Sequence, residues 1–242
     1  MIVQEISFVL IILIIGIVSP IEGYREIKKL KKEIAQGKNN KLKQYHNTIV
    51  WSWIPIIFIV LLFPLSGLKF EDIGLRKIDI AASSLSHWII IPIIVIYIVY
   101  LSYNIYSIII LNFSKEARAK SAERIPQEYR AFLPITQKEK QTWSCVALTA
   151  GITEELLYRG YIFFAVTLFF PSISLSIILF ISTCLFGIGH IYQGIEAIKP
   201  TIIGFVFGIF YITFNSLFPV ILLHTVQDLV VRNLIDENPI IQ

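Results

Sequence analysis

Six ionisable side chains interrupt apolar stretches in the second half of this chain. They fall into three groups: Glu154, Glu155 and Arg159; His190; and His224 with Asp228. A charged side chain at mid-bilayer costs about 2.5–3.5 kcal/mol on the lenient insertion scale, so such residues face protein or water and usually have a function. Carboxylates and imidazoles act as general bases, stabilise developing charge or bind metal ions. We therefore expect the chemistry to lie in the C-terminal half.

Helical spacing indicates how these side chains pair. Glu155 and Arg159 are four residues apart, about 40° around a helix, and are expected to form a structural ion pair. Glu154 points about 100° away from Glu155 and has no partner on its own helix. An unpaired buried carboxylate is costly, so its partner must come from another helix. His224 and Asp228 are also four residues apart and can face one point.

The histidines are best interpreted together with the polar residues near them. Phe186 precedes His190 by one helical turn and is expected to pack beneath it. His190 alone, or His224 alone, fits a packing role as readily as a catalytic one. Polar groups brought inward by three helices favour a functional interpretation. His46 in a basic loop and His87 at a membrane edge are expected to be interfacial.

The composition predicts the element that must position these residues, a membrane-spanning helix. The 242 residues are 55% hydrophobic, with a mean hydropathy of +0.71. This exceeds what a soluble core can hide, and near-uncharged runs close to 20 residues can each cross about 30 Å of hydrocarbon. We predict an all-α polytopic transmembrane bundle of about seven spans, with eight as the alternative. The predicted spans are 6–21, 49–68, 88–112, 142–166, 173–191, 200–215 and 217–235.

One membrane domain is expected over residues 1–242. Residues 137–235 form the predicted core in the last four spans, and residues 1–136 supply N-terminal helices and cytoplasmic loops. The first span lacks a basic start and a small-residue cleavage site, so it is predicted to be a retained helix rather than a signal peptide. Thr136 and Glu139 have the spacing of a capping box at the start of the fourth span.

The charged loops predict the orientation. Residues 22–48 hold eight Lys/Arg and residues 113–141 hold seven, whereas residues 69–87 hold three. The positive-inside rule places the two basic loops in the cytoplasm, the N-terminus outside and the C-terminus inside. Binding of anionic lipid is the alternative role for these loops. Nothing resembles a nucleic-acid-binding fold.

Small residues have simpler interpretations. Cys145 and Cys184 are expected to be small buried hydrophobic residues, without a disulfide or metal role. Gly204 and Gly208 form a G-x-x-x-G pattern, which favours close helix packing.

At the ionisable residues the sequence resembles the CPBP intramembrane protease family, which includes type II CAAX prenyl endopeptidases and bacterial abortive-infection (Abi) proteins. Its three motifs are E-E-x-x-x-R, F-x-x-x-H and H-x-x-x-N/D. They read here as Glu154-Glu155-Leu-Leu-Tyr-Arg159, Phe186-Gly-Ile-Gly-His190 and His224-Thr-Val-Gln-Asp228. The resemblance covers about residues 137–235, and Gly74-Leu75-Arg76 resembles a segment of bacterial members.

The resemblance implies that Glu154 and His190 activate a water for attack on a peptide bond, while His224 and Asp228 stabilise the oxyanion. Glu155, Arg159 and Phe186 would be accessory. The same two histidines and two carboxylates are also a possible ligand set for a divalent metal such as zinc. Counting along the helices places His190 nearer the cytoplasmic face than Glu154 or His224, which tilt or a boundary error would reconcile.

The leading hypothesis is a hydrolase of the cell membrane: an endopeptidase that acts on membrane-associated peptides or protein tails, by a glutamate or metalloprotease mechanism. Its partners would be a peptide substrate and the lipid bilayer. A proton- or ion-coupled transporter using the same residues is one alternative, and a non-catalytic bacteriocin-immunity or scaffold protein is another. The very high Ile and Lys content is more typical of a bacterial than of a eukaryotic protein. Peptide maturation or toxin immunity is therefore more plausible than processing of prenylated tails.

Overall fold

Helices account for all the regular structure in the part of the chain that the computed structural model describes, residues 2–38, 40–125, 130 and 132–235. They are α1 (Ile2–Leu13), α2 (Ser19–Ala35), α3 (Lys41–Ser66), α4 (His87–Phe113), α5 (Lys115–Glu123), α6 (Gln137–Glu155), α7 (Ile162–Phe169), α8 (Leu175–Gly189), α9 (Ile198–Phe214) and α10 (Leu217–Val230). Two π-helical turns, Ile14–Val18 and Leu156–Tyr161, join α1 to α2 and α6 to α7 without a break. Short 3-10 segments lie at Ile80–Ala82, Ile191–Ala197 and Val231–Asn233.

Each of the seven predicted spans coincides with one of these continuous helices, which confirms the all-α prediction. The basic segment 22–48 is mostly helical, however, and calling it a loop was wrong. α2 continues to Ala35 and α3 already starts at Lys41. Its Lys and Glu residues are good helix formers and pair three residues apart, as Arg25 does with Glu22 at 2.6 Å. Gly37, with a φ of 75°, ends the helix.

Among the described residues, four helices are long and apolar enough to cross a membrane: Gln4–Ala35, Lys41–Leu62, His87–Phe113 and Ile191–Phe214. Trp88 and Phe113 mark the two ends of α4 and are 88% and 85% exposed. Aromatic side chains prefer the lipid–water interface, so this placement fits a spanning helix. The helices that carry the first and last motifs contain more charge or are shorter, and they pack inside the bundle. The chain is a membrane protein.

The centre of the bundle is the packing of α6 against α3 and α10, with α8 and α9 alongside. Glycines allow the closest approaches. A Cβ on Gly151 would lie 2.2 Å from the Thr225 hydroxyl, and one on Gly208 would lie 2.2 Å from Leu179. Gly204 similarly faces Phe186. The predicted packing role of Gly204 and Gly208 is confirmed.

The segment between α3 and α4 clamps the turn that precedes α10. The Arg76 Nε donates to the Asn215 carbonyl at 2.8 Å, and the Ser216 hydroxyl donates to the Arg76 carbonyl at 2.6 Å. The Leu217 N–H donates to the Gly74 carbonyl at 2.9 Å. Asn215 adopts the left-handed conformation, with a φ of 49°, which Asn tolerates well. These hydrogen bonds fix where α10 begins. They therefore also fix how far along the bundle His224 and Asp228 lie.

The fourth predicted span starts as expected. The Glu139 N–H donates to the Thr136 hydroxyl at 3.2 Å, and the Glu139 carboxylate accepts from the Thr136 N–H at 3.1 Å. This reciprocal pair is the predicted capping box. Glu139 also lies 3.7 Å from the Lys41 ammonium, and both side chains are buried. The start of α6 is thereby tied to the start of α3.

Candidate active site

The first motif stands where α6 passes into a π-helical turn. Glu154 and Glu155 end α6, and Arg159 lies inside the turn Leu156–Tyr161. Such single-turn π segments occur often at functional sites. The turn packs closely on the α3–α4 segment, because a Cβ on Gly160 would lie 2.5 Å from the Ile73 carbonyl oxygen. The backbone that presents the two glutamates is therefore held from outside its own helix.

The predicted ion pair between Glu155 and Arg159 is present and completely buried. The Arg159 Nη1 donates to Glu155 Oε1 at 2.8 Å, and its Nη2 donates to the Gly204 carbonyl at 2.7 Å. The guanidinium also stacks over the Phe186 ring, 4.6 Å from the ring centroid. Arg159 thus joins the π-helical turn to α8 and α9.

His224 is held by a contact that sequence reasoning missed. Its Nδ1 lies 2.7 Å from Glu155 Oε1, the same oxygen that accepts from Arg159. A carboxylate paired with Arg159 is an acceptor, so Nδ1 carries the proton and donates. Nε2 then faces the opposite side, 3.9 Å from Glu154 Oε2 and 3.7 Å from Asp228 Oδ2. The predicted convergence of His224 and Asp228 is observed, and Glu154 finds its neighbour on another helix.

Glu154 and Asp228 line the open side of the cluster. Their side chains are 28% and 29% exposed, whereas that of His224 is 7% exposed. Glu154 Oε2 is nevertheless buried and has no hydrogen-bond partner among the residues with described coordinates. An unpaired buried oxygen on a carboxylate is costly unless a water or ligand binds it. This oxygen is therefore suited to hold a reacting water.

His190 caps the C-terminus of α8, and Phe186 fixes its ring. Its Nδ1 lies 2.8 Å from the Phe186 carbonyl oxygen, and the two ring centroids are 4.5 Å apart. Since a carbonyl only accepts, Nδ1 donates and Nε2 keeps a lone pair. The expected packing of Phe186 is confirmed. Within the described part of the chain, no hydrogen bond or ion pair joins His190 to Glu154, and His190 is within electrostatic range of Asp228.

Two further side chains surround the site without having been predicted. The Tyr192 ring stacks on His190 at 6.1 Å between centroids. The Trp143 indole N–H donates to the Asp228 carbonyl at 3.0 Å and ties α6 to the end of α10. The position of Tyr192, two residues after a motif histidine, could have indicated from the sequence that it lies near the site. The contact between Trp143 and Asp228 spans 85 residues, and no sequence pattern indicates it.

The remaining candidates lie away from the cluster. His46 is exposed and its ring contacts the Leu42 carbonyl, and His87 is exposed at the start of α4. Cys145 and Cys184 are free, as expected, but exposed, so their predicted burial was wrong. The reason is that outward side chains of membrane helices contact lipid, and a small apolar side chain needs no protein cover there.

The donor geometry does not favour a resident metal. Over the ranges the structure describes, no group of three or more His, Cys, Asp or Glu side chains is arranged to hold an ion. Glu155 is committed to Arg159 and His224. Glu154, His190, His224 and Asp228 remain a predicted ligand set.

Comparison with known proteins bears on the same segment. Residues 138–230 match the model of a family described as type II CAAX prenyl endopeptidase Rce1-like. No curated protein and no solved structure matches the chain. The matched range contains all three motifs and the three carboxylates around His224, those of Glu154, Glu155 and Asp228. The motif resemblance and the family model therefore agree: residues 138–230 are similar to the Rce1-like type II CAAX prenyl endopeptidases.

Proposed function

We propose that the chain is an intramembrane endopeptidase that hydrolyses peptide bonds in membrane-associated peptides or protein tails, with a water activated by Glu154 and His190. The observation that carries this proposal is the meeting of the three motifs around the buried His224 imidazole, beside a Glu154 oxygen that has no hydrogen-bond partner among the described residues. The match of residues 138–230 to the family model supports protease chemistry of the CAAX type.

Glu154 is the proposed general base. Its unpartnered Oε2 accepts a proton from the bound water as the oxygen attacks the peptide carbonyl. His190 presents a lone pair on Nε2, because Nδ1 donates to the Phe186 carbonyl. In this proposal His190 shares the water and carries a proton to the leaving amine. Positioned acid–base groups of this kind contribute about 10²–10⁴-fold to rate.

His224 is the proposed oxyanion donor. Its Nδ1 proton is committed to Glu155, so donation from Nε2 requires the doubly protonated ring. Glu154 and Asp228, at 3.9 and 3.7 Å from Nε2, together with Glu155 supply the countercharge. An ionised Asp228 would repel an oxyanion directly. We therefore assign Asp228 to orienting and balancing the His224 ring.

The Asp228→Asn variant separates this mechanism from a metal-dependent one. An Asn side chain keeps the shape and adds an amide donor, so kcat is expected to stay within about tenfold of wild type, short of the 10²–10³-fold loss typical when an oxyanion donor is removed. Chelators should have little effect. The measurement is peptide cleavage with and without chelator, alongside metal analysis of the purified protein. A stoichiometric metal that disappears with activity in Asp228→Asn would favour the metalloprotease.

We also propose an external N-terminus and a cytoplasmic C-terminus. The support is the basic content of residues 22–48 and 113–141. Because Cys145 and Cys184 are exposed, they are first replaced with Ser. A Lys38→Cys variant should then resist an impermeant thiol reagent in intact cells, and Lys77→Cys, in the opposite loop, should react. Labelling at position 38 but not 77 would reverse the topology.

Hydrolysis itself is tested with purified protein in proteoliposomes, a degenerate peptide library and ¹⁸O-water. Attack by water places one ¹⁸O atom in the new carboxyl group of the N-terminal fragment and none in the C-terminal fragment, which mass spectrometry detects. We expect labelled cleavage products that are absent without protein. A protein that cleaves nothing but moves protons across the vesicle membrane would be the transporter instead.

A further inference from the structure

Helix α2, which belongs to the N-terminal part of the chain, packs against the segment that follows His190. α2 lies outside residues 138–230, yet its Gly23 meets the Tyr192 ring. A Cβ added at Gly23 would lie 3.0 Å from Tyr192 Cδ1 and 3.6 Å from Cε1 and Cγ. Real side-chain contacts are seldom this tight, so the absence of a Cβ at position 23 is what lets Tyr192 lie against α2.

The Tyr192 ring also stacks near the ring of His190, the proposed proton carrier. The Tyr192 and His190 rings are nearly parallel, with an interplanar angle of 27° and centroids 6.1 Å apart. Phe186 contacts the imidazole as well, at 4.5 Å, and accepts from its Nδ1 through the backbone. Two aromatic rings and one hydrogen bond therefore define the orientation of His190.

Tyr192 lies in the 3-10 segment Ile191–Ala197, which directly follows His190. Gly194 interrupts this segment with a φ of 63°. The Gln193 amide donates to the Tyr192 hydroxyl at 3.3 Å, and the Glu154 and Asp228 carboxylates are within electrostatic range of this hydroxyl. Tyr192 thus lies against α2 on one side and near the His190 ring on the other.

We infer that Tyr192 is a positioning residue that holds the His190 ring for proton transfer, and that Gly23 of the N-terminal helix supports it from behind. The inference rests on the proposed function and extends it to a residue of α2. It also gives α2 a role in catalysis besides membrane anchoring. A misplacement of about 1 Å at a catalytic group can cost on the order of 10²-fold in rate, so loss of this support should be large and confined to kcat.

The kinetic arm of the test compares four variants on a peptide that wild type cleaves. Tyr192→Ala and Gly23→Leu are expected to lower kcat about tenfold or more, with KM and melting temperature near wild type. Tyr192→Phe keeps the ring and should restore most of kcat. Tyr24→Leu alters the exposed neighbour of Gly23 and serves as the matched control. Tyr192→Ala combined with Gly23→Leu should lose no more than either alone, because both remove one interaction.

A second arm does not depend on activity. The rate of His190 carbethoxylation by diethyl pyrocarbonate, followed by mass spectrometry, should rise severalfold in Tyr192→Ala and Gly23→Leu and stay at the wild-type value in Tyr192→Phe and Tyr24→Leu. Equal His190 rates in Tyr192→Ala and wild type would overturn the inference, as would an unchanged kcat. If wild type cleaves no peptide, the proposed function fails, and the carbethoxylation rates still decide the role of Tyr192.

Discussion

Replacing Glu154 with Gln is expected to abolish peptide cleavage while the protein stays folded. Gln keeps the shape of the side chain and removes the basic oxygen. The expected loss in kcat is about 10²–10⁴-fold, the usual contribution of a positioned acid–base group. Stability should change little, because Glu154 Oε2 has no hydrogen-bond partner among the described residues and its closest charged neighbour is 3.9 Å away.

The measurement pairs cleavage in ¹⁸O-water with thermal unfolding in detergent. His46→Gln is the matched control, since it alters an exposed polar side chain far from the cluster and should cleave like wild type. Substantial cleavage by purified Glu154→Gln protein would remove Glu154 from the role of base. The proposed mechanism would then lose its central step.

Much of the fold follows from local pattern. Apolar runs long enough to cross a bilayer locate helices well, because the chain must satisfy its backbone hydrogen bonds internally in lipid. The seven predicted spans coincide with helices for this reason. The C-terminal half of α2 was missed because a charged surface helix resembles a basic loop when only hydropathy is read.

The contacts of the candidate site also fall into two classes, those that spacing along one helix predicts and those that depend on how helices pack. The Glu155–Arg159 pair and the His224–Asp228 pair lie within one helix, where a separation of four residues fixes the geometry. The contact of Glu155 with His224 spans 69 positions and depends on how α6 and α10 pack. The stacking of Tyr192 on His190 depends on the turn after α8. Contacts between helices carry no periodic signal, so the sequence alone placed Glu155 in an ion pair and left out its second partner.

Because Glu155 contacts both Arg159 and His224, removing one member of the Glu155–Arg159 ion pair should affect both stability and activity. In Glu155→Gln, Arg159 keeps only neutral acceptors, the Gly204 carbonyl and the introduced amide oxygen, and becomes a buried charge without a countercharge. In Arg159→Ala, Glu155 keeps His224 alone. Breaking a buried pair by removing one partner typically costs about 3–5 kcal/mol, so both variants should melt well below wild type in detergent. Activity should fall further in Glu155→Gln, because His224 loses the anionic acceptor that orients its ring and stabilises its protonated form.

Two comparisons isolate the charge effect from packing. The double variant Glu155→Gln/Arg159→Met removes both charges and should recover part of the melting temperature that either single change loses, since no buried charge is left unpaired. Glu22→Gln breaks the exposed pair with Arg25 and should leave the melting temperature unchanged. Melting at the wild-type temperature by both single variants, together with complete loss of cleavage, would mean that Glu155 and Arg159 serve catalysis and not the fold.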